Sequence, residues 1–222
     1  MRVEWYGQSA FALTDGATTV FIDPFDDVSG LKARGIQWDY PAIAGVEADL
    51  LLVTHEHADH NGVGAIGGDP AVLRSTAGRL QSAIGEVVAV ASEHDDVAGT
   101  ARGPNTIFCF ELGGLRCSHF GDFGQPSLRP EQRAAIGAVD VLMVPVGGGP
   151  TIGGAAGAAL VREVGPRLVV PMHFRTPAVN FLEPPEAFLE ALGARVERTG
   201  AEIETDELLD GEPRVALMDV SG

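Results

Sequence analysis

Short runs of β-favouring residues open the chain. Residues 3–6, 10–13 and 18–22 place apolar and β-branched side chains between Gly and Asp turn signals, which predicts three antiparallel strands. The third ends at Asp23-Pro24, and a polar stretch follows to about Ala48. DLLLVT at 49–54 is a short continuous apolar run, the pattern of a strand covered on both faces. Strands are also predicted at 71–74 and 87–91, with a helix over 76–84 between them, an alternation that belongs to layered α/β proteins. Residues 106–112 and 115–120, joined through Gly113-Gly114, read as a hairpin. Beyond it the pattern predicts a helix over 130–137, a buried strand over 139–144, a small-residue helix over 152–164 and a strand over 168–171. A helix over 184–192 with Pro in its first turn and a strand over 214–219 close the pattern. No fixed-period repeat and no low-complexity linker interrupts it, so residues 1–222 are expected to form a single domain.

Composition narrows the function classes. With 29 Gly and 14 Pro among 222 residues, a coiled coil or helical bundle is excluded in favour of many short elements. Fifteen Lys and Arg against 31 Asp and Glu leave a net charge of −16, which repels nucleic acid and anionic membranes, so neither is an expected partner. No apolar run approaches membrane-spanning length and no export signal is visible, which predicts a cytoplasmic protein. The two cysteines fit that compartment. A two-residue turn at Gly113-Gly114 sets Cys109 opposite Ser118 and Cys117 opposite Phe110, so the thiols leave opposite faces of the ribbon and no disulfide is expected.

The histidines change the picture. Of six, His55, His57 and His60 fall in one segment, HEHADH, that starts where the apolar strand ends. In an extended segment His55 and His57 project to one side, and the turn after them can aim Asp59 and His60 at a neighbouring point. A chance HxHxDH at this composition has a probability of roughly 3 in 10,000, so coincidence is set aside. Three imidazoles and a carboxylate gathered without a cation would leave buried polar groups unpaired, at about 1–3 kcal/mol each. That donor set suits Zn²⁺ first, with Mn²⁺ or Fe²⁺ as alternatives. Neither a GxSxG nor a CxxC motif is present, so no serine or cysteine nucleophile is signalled.

On HxHxDH, an opening similar to WxGxSxF, the DPF after the third strand, HDDVAGTARGPNTIFCF, HFGDFG, VPVGGGPTIG and VVPMHF, the chain resembles the metallo-β-lactamase superfamily. The resembled branch holds metal-dependent hydrolases related to ascorbate 6-phosphate lactonase. The resemblance implies a four-layered αβ/βα sandwich with two divalent ions, one on His55, His57 and His94, the other on Asp59, His60 and His173. Asp122 would bridge them together with a water. It further implies hydrolysis of a small phosphodiester or lactone by that water, with Asp59 and Asp122 orienting it or moving its proton. A metal-binding or redox module without hydrolytic turnover is the alternative. A small molecule, neutral or anionic, is the expected partner, and self-association is left open.

Several residues depart from this pattern or compete with it. Gln8 and Gln125 stand where the branch has histidine, and Pro150 where it often has an aromatic residue. GVGAIG at 62–67 satisfies GxGxxG but does not follow its strand directly, and the glycines at 148–153 lack the lysine of a phosphate loop. Arg175, two residues after His173, is the expected contact for a substrate anion. His94 and His119 compete for the first metal. His119 lies three residues before Asp122, so strand parity sends it to the opposite face unless the chain turns at Gly121; the expectation is His94 as ligand and His119 as a buried support of the Asp122 loop.

Overall fold

A computed structural model describes residues 1–209 and 212–221. Two sheets face each other. The first takes β1 (Arg2–Gly7), β2 (Ala10–Thr14), β3 (Thr19–Ile22), β4 (Leu50–Val53), β5 (Ala71–Arg74) and, at its far edge beside β1, β13 (Glu202–Glu204). Its strands are antiparallel from β13 to β3 and parallel from β3 to β5. The second sheet begins with the antiparallel meander β6 (Gly78–Ser82), β7 (Gly85–Glu93), β8 (Pro104–Leu112) and β9 (Leu115–His119). It continues in parallel through β10 (Val141–Pro145), β11 (Leu168–Met172), β14 (Arg214–Met218) and the outer strand β12 (Arg195–Thr199).

The period of two sorts the side chains. Val20, Ile22, Leu50 and Leu52 join the main core between the sheets, whereas Phe21 and Leu51 point the other way into a second cluster with Phe25, Trp38, Tyr40 and Ile43. The stretch expected to be merely polar therefore carries the apolar anchors that cover the outer face of the first sheet. It also holds a short helix, α1 (Ser29–Ala33), with no buried residue of its own. On the second sheet β10 and β11 are buried at every position, as parallel strands covered on both faces must be. The helices α2 (Pro130–Ile136), α3 (Gly154–Val164) and α4 (Glu186–Leu192) supply cover, α3 packing on α4 and α2 on β7. This is the expected αβ/βα sandwich, and among the described residues no helix is long and apolar enough to cross a membrane.

Residues 76–84 are a correction. They form β6, not a helix, because Leu80 between Arg79 and Gln81 gives a period of two and Gly85, at φ +92°, turns the chain back onto β7. The charged strands β12 and β13 and a short helix α5 (Thr205–Leu209) lie where no element was expected. In the β8–β9 hairpin Cys109 pairs with Ser118 and Phe110 with Cys117, and both thiols are free and buried.

Candidate metal centre

Each proposed ligand follows the C-terminal end of a strand: His55 after β4, His94 after β7, Asp122 after β9 and His173 after β11. These strands end at one rim of the sandwich, and the side chains beyond them converge. The ring nitrogens of His55, His57 and His94 lie within 4.8 Å of one another, as do donor atoms of Asp59, His60 and His173 and of His55, His60 and Asp122. Asp122 joins the groups. Its Oδ2 lies 3.1 Å from His94 Nε2, 3.2 Å from His173 Nε2 and 4.0 Å from His55 Nε2, while Oδ1 lies 3.3 Å from His60 Nε2. The Nε2 atom of His60 is buried without hydrogen-bond geometry to any neighbour, and so are the Nδ1 atoms of His94 and His173. Convergent imidazole nitrogens and a shared carboxylate fit a divalent cation of the Zn²⁺, Mn²⁺ or Fe²⁺ kind.

The electrostatics agree. Burial and the neighbouring His60 hold His55 well below the ordinary histidine range, and partial desolvation and His94 lower His57. Both rings are therefore neutral at neutral pH, and His55 Nε2 lies 3.0 Å from His57 Nδ1. At His60 burial pulls the other way, but the carboxylates of Asp122, Asp59 and Asp23 outweigh it and raise the ring well above that range. Burial opposes ionisation of Asp122, yet His173 and His60 hold it well below the usual carboxylate range. The unmetallated cluster thus stores a proton on His60 next to an ionised Asp122.

Supports around the cluster account for most of its polar atoms. Asp23, wholly buried and in the left-handed region at φ +50°, accepts from Thr54 N at 2.8 Å and Thr54 Oγ1 at 2.7 Å, and its Oδ2 lies 2.9 Å from His60 Nδ1. Thr54 Oγ1 is in turn 3.0 Å from His55 Nδ1. One carboxylate thereby orients two rings. Ser9 Oγ reaches Asp122 Oδ1 at 3.4 Å, and Asn105 Oδ1 accepts the Asp122 N–H at 3.0 Å. Glu56, between the first two histidines, points outward. Arg74, Ser75 and Asn61 bind it, and the Arg74 bridge lowers its carboxyl to about 2. None of Asp23, Ser9, Glu56 and Asn105 was singled out from the sequence. The DPF and WxGxSxF segments contained the signal for the first two.

The chain does turn at Gly121, whose φ is +53° and whose missing side chain leaves room for Asn105 Oδ1, 2.4 Å from where a Cβ would sit. His119 nevertheless stays outside the three clusters. Its Nε2 donates to Ser9 O at 3.0 Å, its Nδ1 accepts the Gly121 N–H at 3.1 Å, and Phe11 packs edge-on against the ring. Gln8 donates to Asp59 Oδ2 at 3.2 Å. Gln125 is buried away from the cluster, paired with the Gln132 amide and accepting the N–H of Glu93, the residue before His94.

Above the centre lies a cleft of about 460 Å³. His57, Asp59, His94, Asp122 and His173 meet in it, and Pro150 and Phe181 form part of its wall. Arg175 is placed elsewhere, a correction to its expected contact with substrate. His173 adopts φ +50°, the chain turns outward, and Arg175 Nε donates to Leu182 O at 2.6 Å. Arg34 and Arg102 line the cleft instead.

The model of the β-lactamase superfamily domain matches residues 2–173. The chain belongs to the metallo-β-lactamase superfamily. A UPF0173 metal-dependent hydrolase of Thermococcus kodakarensis is 30% identical, over 79% of this chain and 85% of its own. Its counterpart in Thermus thermophilus is 29% identical, over 79% and 84%. A superfamily crystal structure from Thermotoga maritima superposes with a TM-score of 0.79 at 29% identity, covering 99% of each chain. The diiron β-hydroxylase CmlA of Streptomyces venezuelae, at 17% identity and a TM-score of 0.62, covers 98% of this chain and 52% of its own and shares the fold alone.

Proposed function

We propose that this chain is a dinuclear metal-dependent hydrolase acting on a small phosphodiester or lactone. His55, His57 and His94 would hold one divalent ion and Asp59, His60 and His173 the other, with Asp122 available to both. The observation that carries this reading is that Asp122 faces both groups, Oδ2 lying beside His94 of the first and His173 of the second, and Oδ1 beside His60 of the second. Bound divalent cations lower the pKa of water toward 7 and polarise an electrophilic oxygen. Asp59, at the cleft and restrained by Gln8, accepts the proton of the attacking water and returns it to the leaving oxygen. Asp122 is held ionised and fixed by Ser9 and Asn105, so it keeps its geometry while charge moves across the site. The cleft volume suits a small molecule. That the relatives in Thermococcus kodakarensis and Thermus thermophilus are named metal-dependent hydrolases supports the reaction class.

The test is turnover of bis(p-nitrophenyl) phosphate and of simple lactones by protein reconstituted with Zn²⁺ or Mn²⁺, with and without chelator. Chelator-sensitive hydrolysis is expected. Stoichiometric metal binding with no hydrolysis of either class would replace the proposal with a metal-binding module.

A further inference from the structure

Among the described residues most cationic side chains of this acidic protein are engaged, by a carboxylate as in Arg2, Arg74, Arg79, Arg129, Arg167 and Arg195, or by a backbone carbonyl as in Arg116, Arg133, Arg162 and Arg175. Arg34 and Arg102 are not, any more than Lys32 and Arg198 are, but Arg34 and Arg102 both line the cleft over the metal centre. Arg102 is also pre-positioned. The Asp95 carboxylate accepts four backbone N–H groups of its own loop, Val97 at 3.0 Å, Gly99 at 2.6 Å, Ala101 at 3.0 Å and Arg102 itself at 2.7 Å. This cage fixes the loop that begins at His94, so the metal-facing ring and the Arg102 backbone belong to one rigid unit. Arg34 enters from the other side, as the residue that caps α1. Leu31, Ile36 and Phe181 line the same cleft, and Phe181 is among the few large apolar side chains left exposed.

Resting on the hydrolase reading above, we infer that the substrate carries, apart from its reacting bond, a second anionic group held by Arg102 and Arg34, joined through an apolar portion that covers Leu31, Ile36 and Phe181. A phosphate monoester and a carboxylate share the required chemistry, since a guanidinium binds either through paired N–H donors.

The experiment compares kcat/KM for two lactones of equal size, one bearing a terminal phosphate or carboxylate and one bearing a neutral amide there. The reconstituted full-length protein is used as wild type, Arg34→Gln, Arg102→Gln and the double variant, with Arg198→Gln on β12 as the control. The expected result is a preference for the charged lactones that falls at least about tenfold in the double variant, mainly through KM, and declines with added salt in the wild type only. The phosphate and carboxylate arms identify which anion is preferred. No charge preference in the wild type, or an equal loss with Arg198→Gln, overturns the inference. Where no lactone is turned over, calorimetric binding of phenyl phosphate and of phenylacetate decides: wild-type binding that the double variant weakens supports the clamp, and equal binding refutes it while the hydrolase reading is judged separately.

Discussion

Asp23 Oδ2 lies 2.9 Å from Nδ1 of His60, and both side chains are wholly buried. The pair fixes the imidazole with its Nδ1 toward the carboxylate, which leaves Nε2 as the atom that faces Asp59 and Asp122. Since Asp23 also holds Thr54, whose hydroxyl meets His55, the carboxylate sets the orientation of a ring in each proposed metal group. Asp23→Asn keeps the size of the side chain and removes its charge. It is expected to weaken metal binding by about 10–100-fold, read by competition with a chromogenic chelator, with an unchanged circular dichroism spectrum. Unchanged affinity would make Asp23 a fold residue only.

Asp122→Ala probes the shared carboxylate. Removing it takes away the one group that faces rings of both clusters, so the variant is expected to lose at least one metal equivalent by elemental analysis and at least about 100-fold in turnover. Near-full activity would show that Asp122 is not shared between two ions.

What could be read from the chain depended on whether its signal was local. HEHADH is contiguous, and the runs that became β3, β4, β8, β9 and β11 have either strict alternation or uninterrupted apolar character, so their elements were legible. His173 entered the proposed ligand set only through the resemblance, and His94 through the resemblance together with the strand-parity argument against His119, because nothing local marks a ligand that would arrive from another strand end. Asp23 lies 37 positions from His60 and works through a side-chain bond, which leaves no periodic trace. The 25–48 segment looked polar because its apolar anchors Phe25, Trp38 and Tyr40 are spread irregularly, yet they converge on Phe21 and Leu51. Arg175 was chosen for nearness in sequence to His173, whereas the cleft draws its cations from α1 and the Asp95 loop.

Metal uptake is expected to release protons and to strengthen as pH rises from 6 to 8. Asp122, Asp59 and Asp23 outweigh burial and raise His60, so in the metal-free protein its ring is charged at neutral pH, and a cation on Nε2 must displace that proton. Calorimetric titration with Zn²⁺ in two buffers of different ionisation enthalpy reads the protons directly. The sign for stability is opposite. The raised His60 contributes fully below its unfolded value of about 6.5 and loses that contribution as pH climbs through the folded value, whereas the lowered His55, His57 and His119 cost stability below about 6.5 and cease to do so above it, so the His60 share is read as the difference between wild type and His60→Gln in the change of metal-free melting temperature from pH 6 to pH 8. Proton-independent uptake would mean that His60 is neutral before the metal arrives.

The choice between His94 and His119 is decided by two single variants. Both rings are buried and both lie near Asp122 in the chain or in space, but they face different partners. His94 Nε2 is 3.1 Å from Asp122 Oδ2 and its Nδ1 has no hydrogen-bond partner, whereas both nitrogens of His119 are engaged, by Ser9 O and the Gly121 N–H. The lone pair of His119 is taken by the Gly121 backbone N–H, a donor that cannot swing aside for a cation. His94→Ala is therefore expected to lose the ion of the first group while the second is retained. His119→Ala should keep both ions yet destabilise the fold by about 1–3 kcal/mol, because it empties a buried site against Phe11 and strands the Ser9 carbonyl. Elemental analysis and thermal melts separate the two outcomes. Loss of metal from His119→Ala with a native melting temperature would show instead that the turn at Gly121 brings that ring to the ions.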